Sequence, residues 1–144
     1  MPAPAYDETN IFAKILRGEL PCHKVYEDDV ALAFMDIMPR ADGHVLVIPK
    51  APARNILDIA PADLASMAPM VKRIAVAVKA GLGAEGIVVQ QFNESASGQV
   101  VYHLHFHVLP RWSGVPLRAP HGTIASAESL EVHAVKIRAA LKAE

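Results

Sequence analysis

The feature that most constrains this chain is the run Val101–Leu109, in which histidines alternate with apolar residues. The histidines are His103, His105 and His107, and Leu104 and Phe106 lie between them. Alternation predicts a β-strand, because successive side chains of a strand point to opposite faces. The three imidazoles would share one face, and the two apolar residues would enter the core on the other. Each buried imidazole needs hydrogen-bond partners, so three in a row indicate a functional site rather than packing.

Two kinds of site are compatible with such a row of imidazoles. The first is a metal site, but the outer two histidines would be about 13 Å apart along a strand, too far for one tetrahedral ion. A further ligand would have to come from His44, Cys22 or an acidic residue, and the sequence has no CxxC pair. We therefore predict neither a metal nor another cofactor.

The second kind of site binds an elongated anion, such as a phosphate chain, along the imidazoles. A histidine with a pKa of about 6.5 is mostly neutral at pH 7 and can act as a nucleophile. Its neighbours can donate hydrogen bonds to phosphate oxygens or protonate a leaving group. Residues 93–99 (NESASGQ) place small side chains and backbone N–H groups just before the strand, which suits a phosphate.

Length and charge limit the other classes of function. The chain has 144 residues, which fits one domain. Its net charge of −1 predicts no general attraction to nucleic acid or to an anionic membrane. The first ten residues lack the features of a signal peptide, and no apolar run approaches the roughly 18 residues that span a bilayer. The single cysteine, Cys22, cannot form an internal disulfide, and we expect a cytoplasmic protein.

Periodicity and capping residues predict an α+β fold, with an antiparallel sheet of about five strands, a long helix and shorter flanking helices. The predicted strands are 23–29, 31–37, 44–48, 86–92 and 101–109. Helices are expected from Thr9 or Asn10 to Arg17, from Pro61 to Gly81, and from Ser126 onward. Pro69 lies inside the long helix and should kink it or split it in two. Residues 110–125 are expected to be irregular.

Taken together, these segments resemble the histidine triad (HIT) family. Residues 93–109 resemble its signature, HxHxH followed by two apolar residues and preceded by a Gly-Gln pair. Three upstream segments resemble family landmarks in the same order: Ile11–Ile15, Phe34–Ile37 and Gly43–Lys50. The resemblance covers about residues 10–112. We expect residues 1–9 to be a flexible lead-in, and residues 113–144 to form a loop and helix packed on the same domain.

The resemblance implies a role for each matching residue. His105 would attack the α-phosphorus to form a nucleotidyl-histidine, His103 would orient and polarise it, and His107 would bind the phosphate. The other implied contacts are Asn93, Gly98, Gln99 and the Val100 backbone near the phosphate and ribose, Asp36 on the ribose hydroxyls, and His44 beside the site. The implied slot for the base is Ile11, Phe12, Ile15, Phe34 and Ile37. Without the resemblance, the five apolar residues could instead belong to the core. Asp36 could cap the following turn, and His44 could be a structural histidine.

The resemblance also implies a reaction. It is that of a purine nucleotide-binding hydrolase, which cleaves nucleoside phosphoramidates or dinucleoside polyphosphates at the α-phosphate and releases a nucleoside monophosphate such as AMP. His107 favours hydrolysis, because the transferase branch of the superfamily has glutamine there. A nucleotide-binding scaffold protein with slow, incidental hydrolysis would carry the same motif. Relatives are usually homodimers, and we expect one here.

The sequence departs from the family pattern in three places. Val100 stands where many members have Ser or Thr, so a hydroxyl that could help the leaving group is missing. The cysteines that bind zinc in some bacterial members are absent, and Ala13 stands in the opening helix. The segment 110–114 differs from the tail of the phosphoramidase branch. The first and third differences leave the leaving-group preference open, and the missing cysteines remove the case for a structural zinc.

Overall fold

The five strands form one antiparallel sheet. The computed structural model describes residues 4–143. Its elements are α1 (Ile11–Leu16), β1 (Lys24–Glu27), β2 (Ala31–Met35), β3 (Val45–Pro49), α2 (Pro61–Leu82), β4 (Gly86–Gln90), β5 (Phe106–Arg111) and α3 (Ala127–Lys142). The strand order in the sheet is β1-β2-β3-β5-β4. A 3-10 turn, Ser95–Ser97, lies between β4 and β5. This architecture confirms the predicted α+β class and the five-stranded antiparallel sheet.

The two faces of the sheet are packed differently. On the face that we call the α2–α3 face, residues such as Ala33 and Val47 join an apolar cluster with α2 and α3. On the other, the α1 face, Leu46 packs in a second cluster with Phe12 of α1. His107 pairs with Leu46 across β3 and β5. Because directly opposite residues share a face, His107 lies on the α1 face.

α1 begins where capping chemistry predicts. The Asn10 side-chain oxygen accepts a hydrogen bond from the Ala13 N–H at 2.9 Å, which satisfies one of the free donors of the first turn. Arg17 ends the helix, and Gly18 follows with a φ of +78°, a conformation that glycine adopts without strain. The cap fixes the start of α1 and with it the position of Phe12, which is buried.

α2 bears on two of the predictions. It is one continuous helix, so Pro69 does not split it, and the alternative of a kink stays a prediction. Pro69 lies on the exposed side, where water can bond the carbonyl that loses its partner. Gly81 does not end the helix, because the left-handed C-cap is Gly83. Gly81 instead allows α3 to approach closely, since a Cβ there would lie 2.8 Å from the Lys136 carbonyl oxygen.

β5 begins later than the alternation predicts. It spans Phe106–Arg111 rather than 101–109, so the first two histidines precede it and the predicted start was wrong. Continuing its antiparallel register with β3 would place Leu104 opposite Pro49, which has no N–H to donate. The Leu104 N–H instead donates to the Ala53 carbonyl oxygen at 2.9 Å. The chain therefore joins the sheet only at Phe106, after His103 and His105.

α3 completes the α2–α3 face. The Ser126 hydroxyl caps it by accepting from the Ser129 N–H, as predicted. Its buried residues, including Leu130 and Ile137, join the same apolar cluster as Ile74 of α2. Within the part of the chain that the structure describes, no helix is long and apolar enough to cross a membrane.

Candidate active site

The three signature histidines come together on the α1 face. His107 lies in β5, and His103 and His105 lie in the segment that leads into it. The ring centroids of His105 and His107 are 5.0 Å apart. Phe12 of α1 packs edge-on against His105, with its centroid 5.0 Å away. His103 is fully buried, whereas His105 is 9% exposed. The histidines thus cluster although only one of them lies in a strand.

His105 has one ring nitrogen bonded to the protein. Its Nδ1 lies 2.7 Å from the carbonyl oxygen of His103. Because a carbonyl can only accept, Nδ1 carries the proton and Nε2 the lone pair. Burial lowers the pKa of His105, an effect partly opposed by this hydrogen bond. The ring is therefore neutral at pH 7, with Nε2 available as a nucleophile.

A fourth histidine, His44, orients His107. The Arg40 N–H donates to Nδ1 of His44 at 3.1 Å, so the proton of neutral His44 is on Nε2. That nitrogen donates to Nδ1 of His107 at 2.9 Å, so His107 carries its own proton on Nε2. Burial lowers the pKa of both rings to about 3, with smaller contributions from a neighbouring histidine of the site and then from Arg40. Both are neutral at pH 7.

His103 is bonded at both ring nitrogens. Nε2 donates to the Pro49 carbonyl oxygen at 2.8 Å, and Nδ1 accepts from the Tyr6 hydroxyl at 2.6 Å. Burial lowers the pKa of His103 to about 4, outweighing the opposite effect of the Pro49 carbonyl. Sequence analysis missed Tyr6. The only indication of such a residue was the general need of a buried imidazole for partners.

The four imidazoles leave two nitrogens without a partner among the described residues. Six of the eight ring nitrogens hydrogen-bond to protein groups. The other two are Nε2 of His105, which holds a lone pair, and Nε2 of His107, which holds a proton. Since every buried side-chain nitrogen or oxygen in residues 4–143 has a partner, both atoms are open to solvent. A nucleophile and a hydrogen-bond donor stand side by side.

Charged and amide side chains hold the loop that precedes the triad. Arg54 donates twice to the Glu94 carboxylate, at 2.8 and 2.9 Å, and Asn55 donates to the same group. These bonds hold Glu94 at a φ of +72°, a costly conformation for a residue with a side chain. The Gln99 amide is buried, accepts from the Glu94 N–H, and donates to the carbonyl oxygens of Arg54 and Val101. The Gln99 side chain therefore shapes the loop.

The other loop residues singled out from the sequence are placed around the same turn. The Asn93 side chain exchanges hydrogen bonds with Gln91 and accepts from the Ile56 N–H. Gly98 has a φ of +107°, and Val100 is 60% exposed. Arg54, Asn55 and Glu94 were missed, because no motif in the sequence marks them.

Comparison with known proteins decides the family. Residues 17–114 match the HIT domain model. The chain belongs to the HIT family. It is 40% identical over 101 residues to the adenosine 5′-monophosphoramidase hnt1 of Schizosaccharomyces pombe, covering 70% of this chain and 73% of that protein. It is 35% identical over 127 residues to the adenylylsulfatase HINT3 of Arabidopsis thaliana, covering 88% of this chain and 61% of that longer protein.

A solved HIT structure extends the likeness to nearly the whole fold. The crystal structure of a Hit-like protein involved in cell-cycle regulation from Bartonella henselae superimposes with a TM-score of 0.89 and 54% sequence identity. The match covers 94% of this chain and 99% of that chain. Because so little of the chain is left uncovered, the match extends to most of the residues outside 17–114.

The five apolar residues of the implied base slot differ in how much of each side chain is exposed. Phe12 and Phe34 are buried, with their rings edge to face and 5.4 Å apart, and Ile15 packs partly buried beside them. Ile11 and Ile37 are each 47% exposed. Phe12, Phe34 and Ile15 thus pack in the apolar cluster of the α1 face, whereas Ile11 and Ile37 keep apolar surface exposed.

Asp36, His44 and His107 place one potential ligand atom each within 4.8 Å of the others. One Asp36 oxygen accepts from the Met38 N–H, and the other lies 3.5 Å from Nε2 of His44. Because neutral His44 carries its proton on Nε2, it has no lone pair there for a metal, and the contact to Asp36 is not an ion pair. Burial raises the pKa of the Asp36 carboxyl. These atoms fit a hydrogen-bond relay that runs from the Arg40 N–H through His44 to His107. The absence of a metal stays a prediction.

Proposed function

We propose that this chain hydrolyses purine nucleotide conjugates at the α-phosphate, with His105 as the nucleophile. The observation that carries the proposal is the open lone pair on Nε2 of His105 beside the open Nε2–H of His107. The relatives named adenosine 5′-monophosphoramidase and adenylylsulfatase support nucleotide hydrolase activity. Both names specify an adenosine nucleotide, which supports AMP as the product.

In the first step, Nε2 of His105 attacks the α-phosphorus, and the electron pair of the breaking bond leaves with the departing group. The new N–P bond makes the ring cationic. Its Nδ1–H already donates to the His103 carbonyl, which stabilises that charge without any reorientation. The Nε2–H of His107 donates to a phosphate oxygen, where negative charge accumulates. Val100 has no hydroxyl, so the leaving group takes its proton from solvent.

In the second step, water attacks the phosphorus of the nucleotidyl-histidine. The N–P electron pair returns to Nε2 of His105, a proton is released, and the nucleoside monophosphate departs. His103, His44 and His107 keep their hydrogen bonds throughout, because none of them has to change tautomer. A preorganised site of this kind has little reorganisation energy to overcome in either step.

Nucleotide recognition would use the rim of the α1 face. The Asp36 side chain is 17% exposed, and its carboxylate would accept from the ribose hydroxyls. Ile11 and Ile37 would contact the base with their exposed apolar surface. The backbone of Gly98 and Val100 and the amide of Asn93 would lie nearest the phosphate. Conjugates with an adenine base and a phosphate bond to an amine or a second nucleotide fit this arrangement.

The test is AMP release from adenosine 5′-phosphoramidate, diadenosine tetraphosphate and adenosine 5′-phosphosulfate, each at the same concentration. A cytidine phosphoramidate serves as the control for purine preference. We expect turnover of at least about 1 s⁻¹ on one adenine substrate. If AMP binds but turnover on all three substrates is far below that value, the chain is a nucleotide-binding scaffold and the proposal is wrong.

We also propose that the chain forms a homodimer. β4 is an edge strand, and Val89 on it is 49% exposed, which favours pairing with another chain. Val76 on α2 is 52% exposed and would extend the same surface. Light scattering during size-exclusion chromatography should give twice the mass of the chain. A mass of one chain at micromolar concentration would contradict the proposal.

A further inference from the structure

Tyr6, in the segment that precedes α1, contacts the buried end of the triad. Tyr6 is half-buried, and its hydroxyl lies 2.6 Å from Nδ1 of His103. The two rings also meet edge to face, with centroids 5.7 Å apart. Tyr6 precedes residues 17–114, the region that matches the HIT domain. A residue outside the matched region therefore contacts the innermost histidine of the site.

The direction of each hydrogen bond along this contact is fixed by its neighbours. The Asn10 side-chain oxygen accepts from the Ala13 N–H, so its NH₂ group is the one that faces Tyr6. That group donates to the Asp7 carbonyl oxygen and to the Tyr6 hydroxyl oxygen. The Tyr6 hydroxyl keeps its own proton to donate. Nδ1 of His103 is the acceptor, because Nε2 of the same ring carries its proton toward the Pro49 carbonyl oxygen, which can only accept.

This donation reinforces the state of His103 that the Pro49 carbonyl sets. With Nδ1 accepting from Tyr6, the ring proton must be on Nε2, where it donates to the Pro49 carbonyl at 2.8 Å. The ring is held at both ends, and its own carbonyl oxygen is the acceptor that orients His105 at 2.7 Å. The chain of contacts therefore runs from Asn10 through Tyr6 and His103 to the nucleophile.

We propose that Tyr6 is a positioning residue for the reaction, whose hydroxyl locks the tautomer and place of His103 and thereby aligns His105. This inference rests on the proposed function for its kinetic consequence, but the tautomer of His103 can be observed without any substrate. Asn10 ties the same segment to α1, since it also caps the helix that carries Phe12 against His105. The N-terminal segment thus supports the nucleophile from two sides.

The test compares Tyr6→Phe with Tyr26→Phe in the full chain. Tyr26→Phe is the matched control, because Tyr26 lies on β1 under the Arg73 guanidinium, away from the triad. Both changes keep the ring and remove one hydroxyl. We expect Tyr6→Phe to lower kcat about tenfold with little change in KM, because misalignment affects the transition state more than binding. Tyr26→Phe should stay within about twofold of wild type.

The second measurement is ¹⁵N NMR of the histidine rings in the ligand-free protein. In the wild type, His103 should show a protonated Nε2 and an accepting Nδ1, and Tyr6→Phe should shift the Nδ1 resonance most. Wild-type kcat in Tyr6→Phe would overturn the inference and leave the proposed function intact. A lower kcat with unchanged His103 resonances would also overturn it. If the wild type hydrolyses none of the conjugates, the proposed function is wrong. The NMR measurement then still tests the inference, and His103 resonances that Tyr6→Phe leaves unchanged would overturn it.

Discussion

On the α2–α3 face, the sheet meets two long helices through apolar side chains such as Ile74 and Ile137, both fully buried. On the α1 face, it meets a helix of six residues and four imidazoles. The buried residues of the first face are apolar, whereas the second face keeps two ring nitrogens open to solvent. The comparison shows that one side of the sheet supplies stability and the other side positions reactive groups. Substitutions on the two faces should therefore separate stability from activity.

The largest effect is expected for His105→Ala. Removing the only open lone pair of the triad should lower kcat by about 10⁴-fold or more, because no other described ring nitrogen there can attack. Nucleotide affinity should remain close to wild type. AMP release and AMP titration calorimetry measure the two quantities. His23→Ala, which removes a surface histidine paired with Glu131, is the control and should be nearly silent.

Ile74→Ala tests the opposite face. Ile74 is fully buried between the helices and the sheet, and its truncation should reduce the free energy of unfolding by about 2–5 kcal/mol. The kcat of the protein that remains folded should be unchanged. Val135→Ala, on the neighbouring helix α3 but 52% exposed, should cost much less. Urea unfolding followed by circular dichroism checks both. A large fall in kcat for Ile74→Ala would show that the two faces are not independent.

Mild acid should destabilise the protein through the α1 face. The pKa is about 3 for His44 and His107 and about 4 for His103 in the folded protein, below the ordinary value of about 6.5. The unfolded chain therefore binds more protons below pH 6.5, so stability is complete above that pH and is lost as the pH falls toward 4. Each ring contributes a slope of up to about 1.4 kcal/mol per pH unit. Urea midpoints between pH 7 and pH 5 measure it, and flat midpoints would contradict the buried neutral rings.

His44→Ala sharpens this result. It removes the donor to Nδ1 of His107, so the proton of His107 is no longer confined to Nε2. We expect kcat/KM to fall by about 10–100-fold, because the donor to the phosphate is lost from part of the population. The acid slope should also become shallower, since one buried ring is gone. His133→Ala on α3 is the matched control, and equal losses in the two variants would refute the relay.

The smallest effect is expected on the α2–α3 side and is stabilising. Pro69 interrupts the hydrogen bonds of a continuous helix at an exposed position, so Pro69→Ala should raise the free energy of unfolding by about 1–2 kcal/mol. Pro61→Ala, at the first turn where proline is favourable, should give no such gain. Thermal melts of both variants measure the difference. A loss of stability in Pro69→Ala would mean that the proline rigidifies the unfolded chain more than it weakens the helix.

The strand-forming and helix-forming parts of this fold follow from local sequence. The periodicity of apolar residues and the caps at Asn10 and Ser126 predict most of the helices and strands, because both signals depend on residues close together in sequence. The start of β5 could not be predicted in this way. It depends on Pro49 in a different strand, whose missing N–H ends the pairing. Gly81 is a second example, since its role is set by Lys136 on another helix.

The candidate site, too, has features that the sequence predicts and features that depend on residues remote in sequence. The three histidines and His44 are marked by spacing and by family resemblance, and the structure brings them together. The protonation of His103, His44 and His107 is determined by Tyr6, the Arg40 N–H and the Pro49 carbonyl, which are remote in sequence from the triad. The proton of His105 is placed by the carbonyl of His103, within the triad itself. Only the folded structure shows which nitrogen is left with a lone pair, and that is the property on which the chemistry depends.

The most direct test of that property is mass spectrometry of the protein trapped after brief mixing with adenosine 5′-phosphoramidate at low pH and low temperature. The account predicts an adduct with the mass of an adenylyl group, mapped by peptide fragmentation to His105. It also predicts that the adduct disappears as AMP is released. An adduct on a different residue, or AMP release without any adduct, would contradict the assignment of His105 Nε2 as the nucleophile.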